Sequence, residues 1–415
     1  MQLEWKNKDL TLLADGSLGY RWVDQPLPPE QIDTLTLPSD PATGNSVVVG
    51  DLLDCQNWLR EIYGPKSVSL VYIDPPFNTQ KTFQAYTDRL SHEQWLSMLR
   101  DRLLAISPLL KPEGSVWVHL DDSELHHARF VLDEVFGENA FVGSIIWEKR
   151  TSRESRSALS SAHDTILVYS PVGPKKWKLK RNLIPRAKDQ LKNPDNDPRG
   201  SWADTPFTAP GYRKGQQYPI TTPSGATKYP PKGRSWYTNE ENYLKLSADN
   251  RIWFPKDGSG SPRLKRFSWE LKGLVPKTLW FAEEVGTTES AKRRLVKDFN
   301  EDVPFDTPKP VELLERIVEI ATNEGDIVLD FFAGSGTTME AAAKHDRQWI
   351  MVERSFATAR NFIIPRLRNL QPSVGTSADL ANLIRAIPRF GESETWTLND
   401  LMDRSQGNSD PKTSR

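Results

Sequence analysis

One cysteine, Cys55, is all that the 415 residues contain. A lone thiol excludes a disulfide framework and a cysteine-rich zinc site, and it fits a reducing, cytoplasmic setting. Apolar runs are short as well: none approaches the roughly 18 residues of a membrane-spanning helix. The opening MQLEWKNKDL lacks the apolar centre of a secretion signal. A soluble intracellular protein with no membrane partner is therefore expected. Two common ligand signatures are also incomplete. In "VLDFFAGSGTTMEAA" (328–342), Gly336 is followed by Thr337 and Thr338, with no lysine to reach a phosphate, and the third glycine of a dinucleotide fingerprint is missing. No internal repeat is visible.

The charge is near balance overall and far from balance locally. The net charge is −1, yet residues 149–298 carry 30 Lys and Arg against 15 Asp and Glu, and the flanks are acidic. Aromatic residues from Trp177 to Trp269 are interleaved with these cations. A charge run by itself is usually a solvated face, but cations among flat rings suit phosphates and bases, so nucleic acid is the expected partner.

Residues 1–45 are proline-rich and read as an irregular arm packed on the surface. Strands alternating with helices follow: "SVVVGD", a helix through Tyr63, "SVSLVYID", then a helix within 91–110 that opens on a Ser91 and Gln94 capping box. "GSVWVHLDD" is a strand, "SELHHARFVLDEVFG" a helix, and "GSIIWEKR" and "DTILVYS" are two more strands. From about Pro171 the pattern dissolves into turn signals, and it returns with a helix at 308–322, strand "DIVLDFFAG", helix "TTMEAAAKH", strand "RQWIMVE" and helix "SFATARNFIIPRLRNL". An α/β fold is expected, with a mostly parallel sheet covered by helices on both faces and interrupted by a loop-rich basic recognition region. The expected divisions are 1–45, 46–170, 171–300, 301–375 and an extension at 376–415 whose end, "QGNSDPKTSR", reads as disordered.

Two stretches carry chemistry. In "SLVYIDPPFNTQ" (69–80) a buried strand stops at Asp74, Pro75, Pro76 and Phe77. Asp-Pro is a common turn opener, but strands of open α/β sheets carry their ligands at their carboxyl ends. The second is the glycine turn at 328–342, where Gly334 and Gly336 allow a sharp turn and close approach to a ligand. Glu353 ends the next strand 19 residues after Gly334, where a ribose hydroxyl is bound in nucleotide folds. A nucleoside ligand without a pyrophosphate fits both features.

Together these stretches resemble the DNA amino-methyltransferases that use S-adenosyl-L-methionine. Asp74-Pro75-Pro76-Phe77 is similar to their catalytic D-P-P-[YF] motif, and Phe332-Ala333-Gly334-Ser335-Gly336-Thr337-Thr338 to their cofactor motif F-x-G-S-G-T-T. The catalytic motif precedes the cofactor motif, the order of the β group, and "HDTILVYS" and "NPDNDPRGSW" further resemble the modification subunits of type III restriction systems and their solitary relatives. The resemblance covers roughly residues 46–365 and implies a Rossmann-like methyltransferase fold acting on double-stranded DNA. It also implies a homodimer, a restriction subunit as a further partner, and cofactor contacts from Asp51, Lys309, Asp330, Phe332, Ala333, Gly334, Ser335, Gly336, Thr337 and Glu353.

The resemblance gives the proline pair a purpose. An exocyclic amino group presents only donors and has a delocalised lone pair. Proline has no N–H, so the loop is a stiff row of acceptors. Asp74 and the Pro75 carbonyl can take the two amino hydrogens, and Phe77 can stack on a flipped base. A leading Asp resembles adenine-N6 enzymes, whereas cytosine-N4 enzymes more often lead with Ser. Carbon-5 methylation would need a nucleophilic cysteine, and Cys55 follows Asp54 in a helix. A non-catalytic recognition subunit, a dinucleotide oxidoreductase and an RNA or protein methyltransferase are the competing classes. Asp51 equally suits a helix N-cap. Asp121 and Asp122 are expected to cap the following helix, and the spacing of His126, His127 and His163 suggests no metal site.

Overall fold

A computed structural model describes residues 3–15, 19–24, 44–78, 90–155, 157–186, 191–299, 305, 307–370 and 384–386. The chain forms two compact units, one from Met1–Asn182 with Pro276–Arg415, the other from Leu183–Val275.

The larger unit is built on a nine-stranded sheet to which both ends of the sequence contribute. Its first strands are β-branched runs with every side chain buried: Ser46–Val49 and Val68–Ile73. Burial on both faces is what a parallel sheet sandwiched between helices requires. The N-terminal half supplies, in chain order, a ribbon of β1 (Thr11–Asp15) and β2 (Gly19–Val23), then β3 (Ser46–Val49), α1 (Leu52–Tyr63), β4 (Val68–Ile73), α2 (His92–Ile106), β5 (Leu110–Leu120), α3 (Leu125–Phe136), β6 (Phe141–Glu148) and β7 (His163–Tyr169). The order across the sheet is Leu279–Trp280, β6, β7, β5, β4, Ile327–Asp330, Gln348–Glu353, β3, Ile384–Ala386. Among these strands only β7 runs against the rest.

The middle of that order decides where ligands bind. β4 lies beside Ile327–Asp330, in parallel, but the chain leaves β4 towards β5 on one side and leaves Ile327–Asp330 towards Gln348–Glu353 on the other. Two loops therefore diverge from adjacent strand ends and open a crevice, the switch point of a doubly wound sheet. The α/β fold with a mostly parallel sheet is as read from the sequence.

Three local readings are corrected. The arm is not irregular throughout: β1 and β2 pair antiparallel, Leu12 and Leu13 join the core, and the Leu12 N–H donates to Asp101 of α2. The proline-rich stretches of the arm and the tail "QGNSDPKTSR" lie outside the described residues. Asp121 and Asp122 do not cap α3. Asp121 instead accepts from the Ser123 N–H, which closes a turn, and the helix starts after Glu124. The last helix is broken: Phe356–Thr358 and Ile364–Leu370 flank a π turn at Ala359–Ile363. Pro365 lacks an N–H and crowds the preceding turn, and the wider π turn relieves this.

The smaller unit is made of short antiparallel ribbons and a three-stranded sheet around Phe207, Tyr218, Ile220, Trp236, Ile252 and Leu264. Several of the aromatics read as base-stacking candidates are thus core residues. Tyr212, Tyr229, Tyr237 and Trp269 are the exposed ones. Its cations divide in the same way: Lys265, Arg199 and Arg251 pair with Asp195, Asp197, Asp249 and Glu270. Arg213, Lys214 and Lys232 are exposed and form no ion pair among the described residues.

Candidate active site

Asp74 leaves the carboxyl end of β4 with its two oxygens in different situations. Oδ2 accepts from the Lys309 ammonium at 2.5 Å. Oδ1 is buried and has no hydrogen-bond partner among the described residues. A buried carboxylate oxygen left without a donor is costly, so it marks a place where a ligand's donor belongs. The loop behind it is pinned. The Trp95 indole donates to the Pro76 carbonyl at 2.6 Å, the Asn78 carboxamide accepts from Leu90 N–H at 3.1 Å, and Asn78 itself is left-handed at φ 57°. Phe77 stacks on His119 with ring centres 6.2 Å apart, and the Lys309 ammonium lies 5.0 Å from the Phe77 ring centre.

His119 belongs to a buried polar chain below that ring. Its Nδ1 meets the Tyr72 hydroxyl at 3.0 Å and its Nε2 meets Asp164 at 3.1 Å, and Asp164 also accepts from Lys149 at 2.6 Å. Burial, reinforced by the Lys309 charge, pushes the His119 pKa down, which favours the neutral imidazole. Burial works against the Asp164 charge, but hydrogen bonding from His119 and the nearby cations outweigh it and hold that carboxyl well below its usual range.

The glycine turn faces this loop from the neighbouring strand. Gly334 is left-handed at φ 51°, and a Cβ there would stand 3.2 Å from the Phe305 ring. The Gly334 N–H donates to Glu353 Oε2 at 2.8 Å, while Glu353 Oε1 accepts from Ser355 N–H at 2.7 Å. Gly336 is also left-handed and ends the turn where the helix Thr337–Lys344 begins. Asp330 accepts from Phe332 N–H at 3.0 Å and from the Thr338 hydroxyl at 2.6 Å. Burial, then the charges of Asp74 and Glu353, push Asp330 up to about 7. It is therefore poised to change charge near neutrality, which is common where ligands bind.

Asp51 combines both roles considered for it. It caps α1 through Leu53 N–H at 3.0 Å, and it holds the buried Arg102 at 2.5 Å. Burial would raise its pKa, but Arg102 and Arg354 outweigh burial and lower it. A cleft of about 1180 Å³, open mouth included, is lined by every site residue expected from the sequence except Gly336. It is also lined by residues that sequence reasoning missed, among them Tyr20 from the N-terminal ribbon, Phe305 and Thr307. Arg354 packs over the Tyr20 ring at 4.3 Å, which ties the ribbon to the strand end at Glu353. Little in the sequence of the ribbon signals this, whereas "TPKP" beside a helix start was visible.

An acceptor-rich proline loop and a left-handed glycine turn thus stand side by side at the switch point of an α/β sheet. Residues 68–360 match the DNA methylase family, and the chain belongs to that family. It is 31% identical to the Mod subunit of the type III restriction-modification enzyme StyLTI of Salmonella typhimurium, over 74% of this chain and 51% of that protein. It is 30% identical to the type II methyltransferase M.EcaI of Enterobacter cloacae, over 71% of this chain and 64% of the relative. M.KpnI of Klebsiella pneumoniae, another type II methyltransferase, is also 30% identical, over 73% of this chain and 77% of the relative. The chain thus spans about half the length of the first of these. No helix among the described residues is long and apolar enough to cross a membrane.

Proposed function

We propose that the chain is a site-specific DNA methyltransferase that moves a methyl group from S-adenosyl-L-methionine to N6 of an adenine flipped out of the duplex. The observation that carries this is Asp74 Oδ1, an acceptor beside the glycine turn with no hydrogen-bond partner among the described residues. The residues fit the cofactor. Gly334 brings backbone where a side chain would strike Phe305, and the Glu353 carboxylate, oriented by the Gly334 and Ser355 N–H groups, lines the cleft at the end of its strand, where a ribose hydroxyl would be met. Asp330 and Lys309 would meet the ammonium and carboxylate of the methionine end. When bound, the cofactor supplies an electrophilic sulfonium methyl group.

The chain's own residues do the rest. Asp74 Oδ1 and the Pro75 carbonyl accept the two amino hydrogens, which draws the nitrogen towards tetrahedral geometry and frees its lone pair. Lys309 fixes the carboxylate's rotation by holding Oδ2, and Phe77, backed by His119, offers its ring to the base. Asp74 then takes the proton that the methylated nitrogen sheds. Positioning supplies most of the acceleration. Exposed Tyr212 and Tyr229, with Arg213, Lys214 and Lys232, give the smaller unit a surface suited to the DNA backbone and bases. Resemblance to the β group extends the proposal to a homodimer working in the cytoplasm, with a restriction subunit as a further partner.

The test is incubation of the chain with DNA and methyl-labelled cofactor, followed by digestion to nucleosides. Label in N6-methyladenine supports the reading. Label in N4-methylcytosine corrects the base, and no label in DNA refutes it.

A further inference from the structure

Outside the cleft, three side chains from two packed helices converge on one point. Glu124, buried at the start of α3, has Oε1 at 3.1 Å from His92 Nδ1 and Oε2 at 3.0 Å from His127 Nδ1. The two imidazoles are in edge contact, with ring centres 4.3 Å apart and planes at 70°. One ligand atom from each of the three residues lies within 4.8 Å of the others. We propose that His92, Glu124 and His127 bind one divalent transition-metal ion of the zinc class.

The geometry and the donor set both bear on the choice of ion. In a tetrahedral zinc site with bonds of about 2.0–2.1 Å, ligand atoms stand roughly 3.3 Å apart; the His–Glu spacings of 3.1 and 3.0 Å are close to that, and all three ligand atoms already lie within 4.8 Å of one another. Two imidazoles with one carboxylate suit Zn²⁺, Co²⁺ or Ni²⁺, whereas Mg²⁺ and Ca²⁺ take oxygen donors. The carboxylate is already supported from behind, since the Asn78 carboxamide donates to Oε1 at 2.9 Å, the kind of outer contact that orients a ligating group. Both imidazoles are about two-fifths exposed, at 43% and 40%, so an ion can enter and water can complete its shell. The ion clamps the first residue of α2 and the start of α3 to Asn78, the residue that follows Phe77. It therefore lies next to the proline loop and takes no part in that loop's chemistry.

Cobalt is the probe. Untagged full-length chain, first treated with a chelator, is titrated with Co²⁺ and followed by visible absorption. One equivalent should give ligand-field bands without a thiolate charge-transfer band, because Cys55 is fully buried in the core. Zn²⁺ should displace the colour and raise the melting temperature, and Mg²⁺ should do neither. His92→Ala with His127→Ala should remove stoichiometric uptake while melting, in chelator, close to the parent. Asn78→Ala should weaken the site by about tenfold. No uptake at micromolar ion by the folded parent, or uptake retained in the double variant, overturns the proposal and leaves the imidazoles as hydrogen-bond donors to Glu124.

Discussion

Replacing Asp74 by Asn keeps the shape of the proline loop and reverses the polarity of one atom. The amide has one acceptor and one donor end, and the Lys309 ammonium sits 2.5 Å from the outer oxygen. An NH2 group cannot face that ammonium, so the amide oxygen takes the Lys309 side. The Nδ2 hydrogens then occupy the place of Oδ1 and point at the amino group they should receive. Losing one charge-assisted, preorganised hydrogen bond in a dry site costs about 3–4 kcal/mol, or two to three decades of rate. Asp74→Ala is a poorer test because it strands the Lys309 ammonium at 8% exposure. The assay is single-turnover methylation at saturating cofactor and DNA, beside equilibrium binding of each. Expected are a 100- to 1000-fold slower transfer step, on the order of that estimate, with cofactor affinity nearly unchanged. A rate within about tenfold of the parent, or a binding defect that accounts for the whole loss, would refute the role given to Oδ1.

Other outcomes follow from the same structure. Asp330 is pushed up to about 7 from an ordinary 3.8, so the folded chain holds this proton more tightly than the unfolded chain does. The stability contributed by this group is then fully present below about pH 4 and declines by up to about 4 kcal/mol as the pH rises to about 7. Asp54, also pushed up to about 7 by burial and then by the Asp51 charge, adds to that slope. Asp330→Asn should remove only the Asp330 share in denaturant melts run across this range. A cofactor ammonium prefers ionised Asp330, so its affinity should rise through pH 7 in the parent and stay flat in Asp330→Asn. Arg102→Met leaves Asp51 charged and buried without its partner and should cost about 3–5 kcal/mol in thermal or denaturant unfolding. Gly334→Ala puts a methyl group against Phe305 at φ 51° and should weaken cofactor binding about tenfold, read by calorimetry. Changing Arg213, Lys214 and Lys232 to Gln should make the slope of log DNA affinity against log salt shallower by up to about 3.

What was legible in the sequence was local. The Ser91 and Gln94 capping box, the apolar strand that ends at Asp74 and the glycine turn after Asp330 each lie within a dozen residues, and each formed as read. What was missed depends on chain closure. Lys309 reaches Asp74 across 235 residues of sequence, and His92 meets Glu124 only because α2 packs on α3. Composition also could not divide the aromatics of the middle region, because Trp236 and Tyr212 look alike in a sequence while one is buried and the other is 78% exposed. The N-terminal ribbon packs Leu12, Leu13, Tyr20, Trp22 and Val23 against the core, but its two five-residue strands are too short to carry a clear periodic signal.

The most direct test of the central reading is methylation written into a genome. A host lacking other adenine methylation would express either the parent or Asp74→Asn, and its DNA would be read by long-read sequencing sensitive to modified bases. N6-methyladenine at one recurring sequence with the parent, and little or none with the variant at equal protein level, is the expected result. Unmodified adenine with the parent, or equal modification by the variant, would contradict the proposal that Asp74 is the acceptor in adenine methylation by this chain.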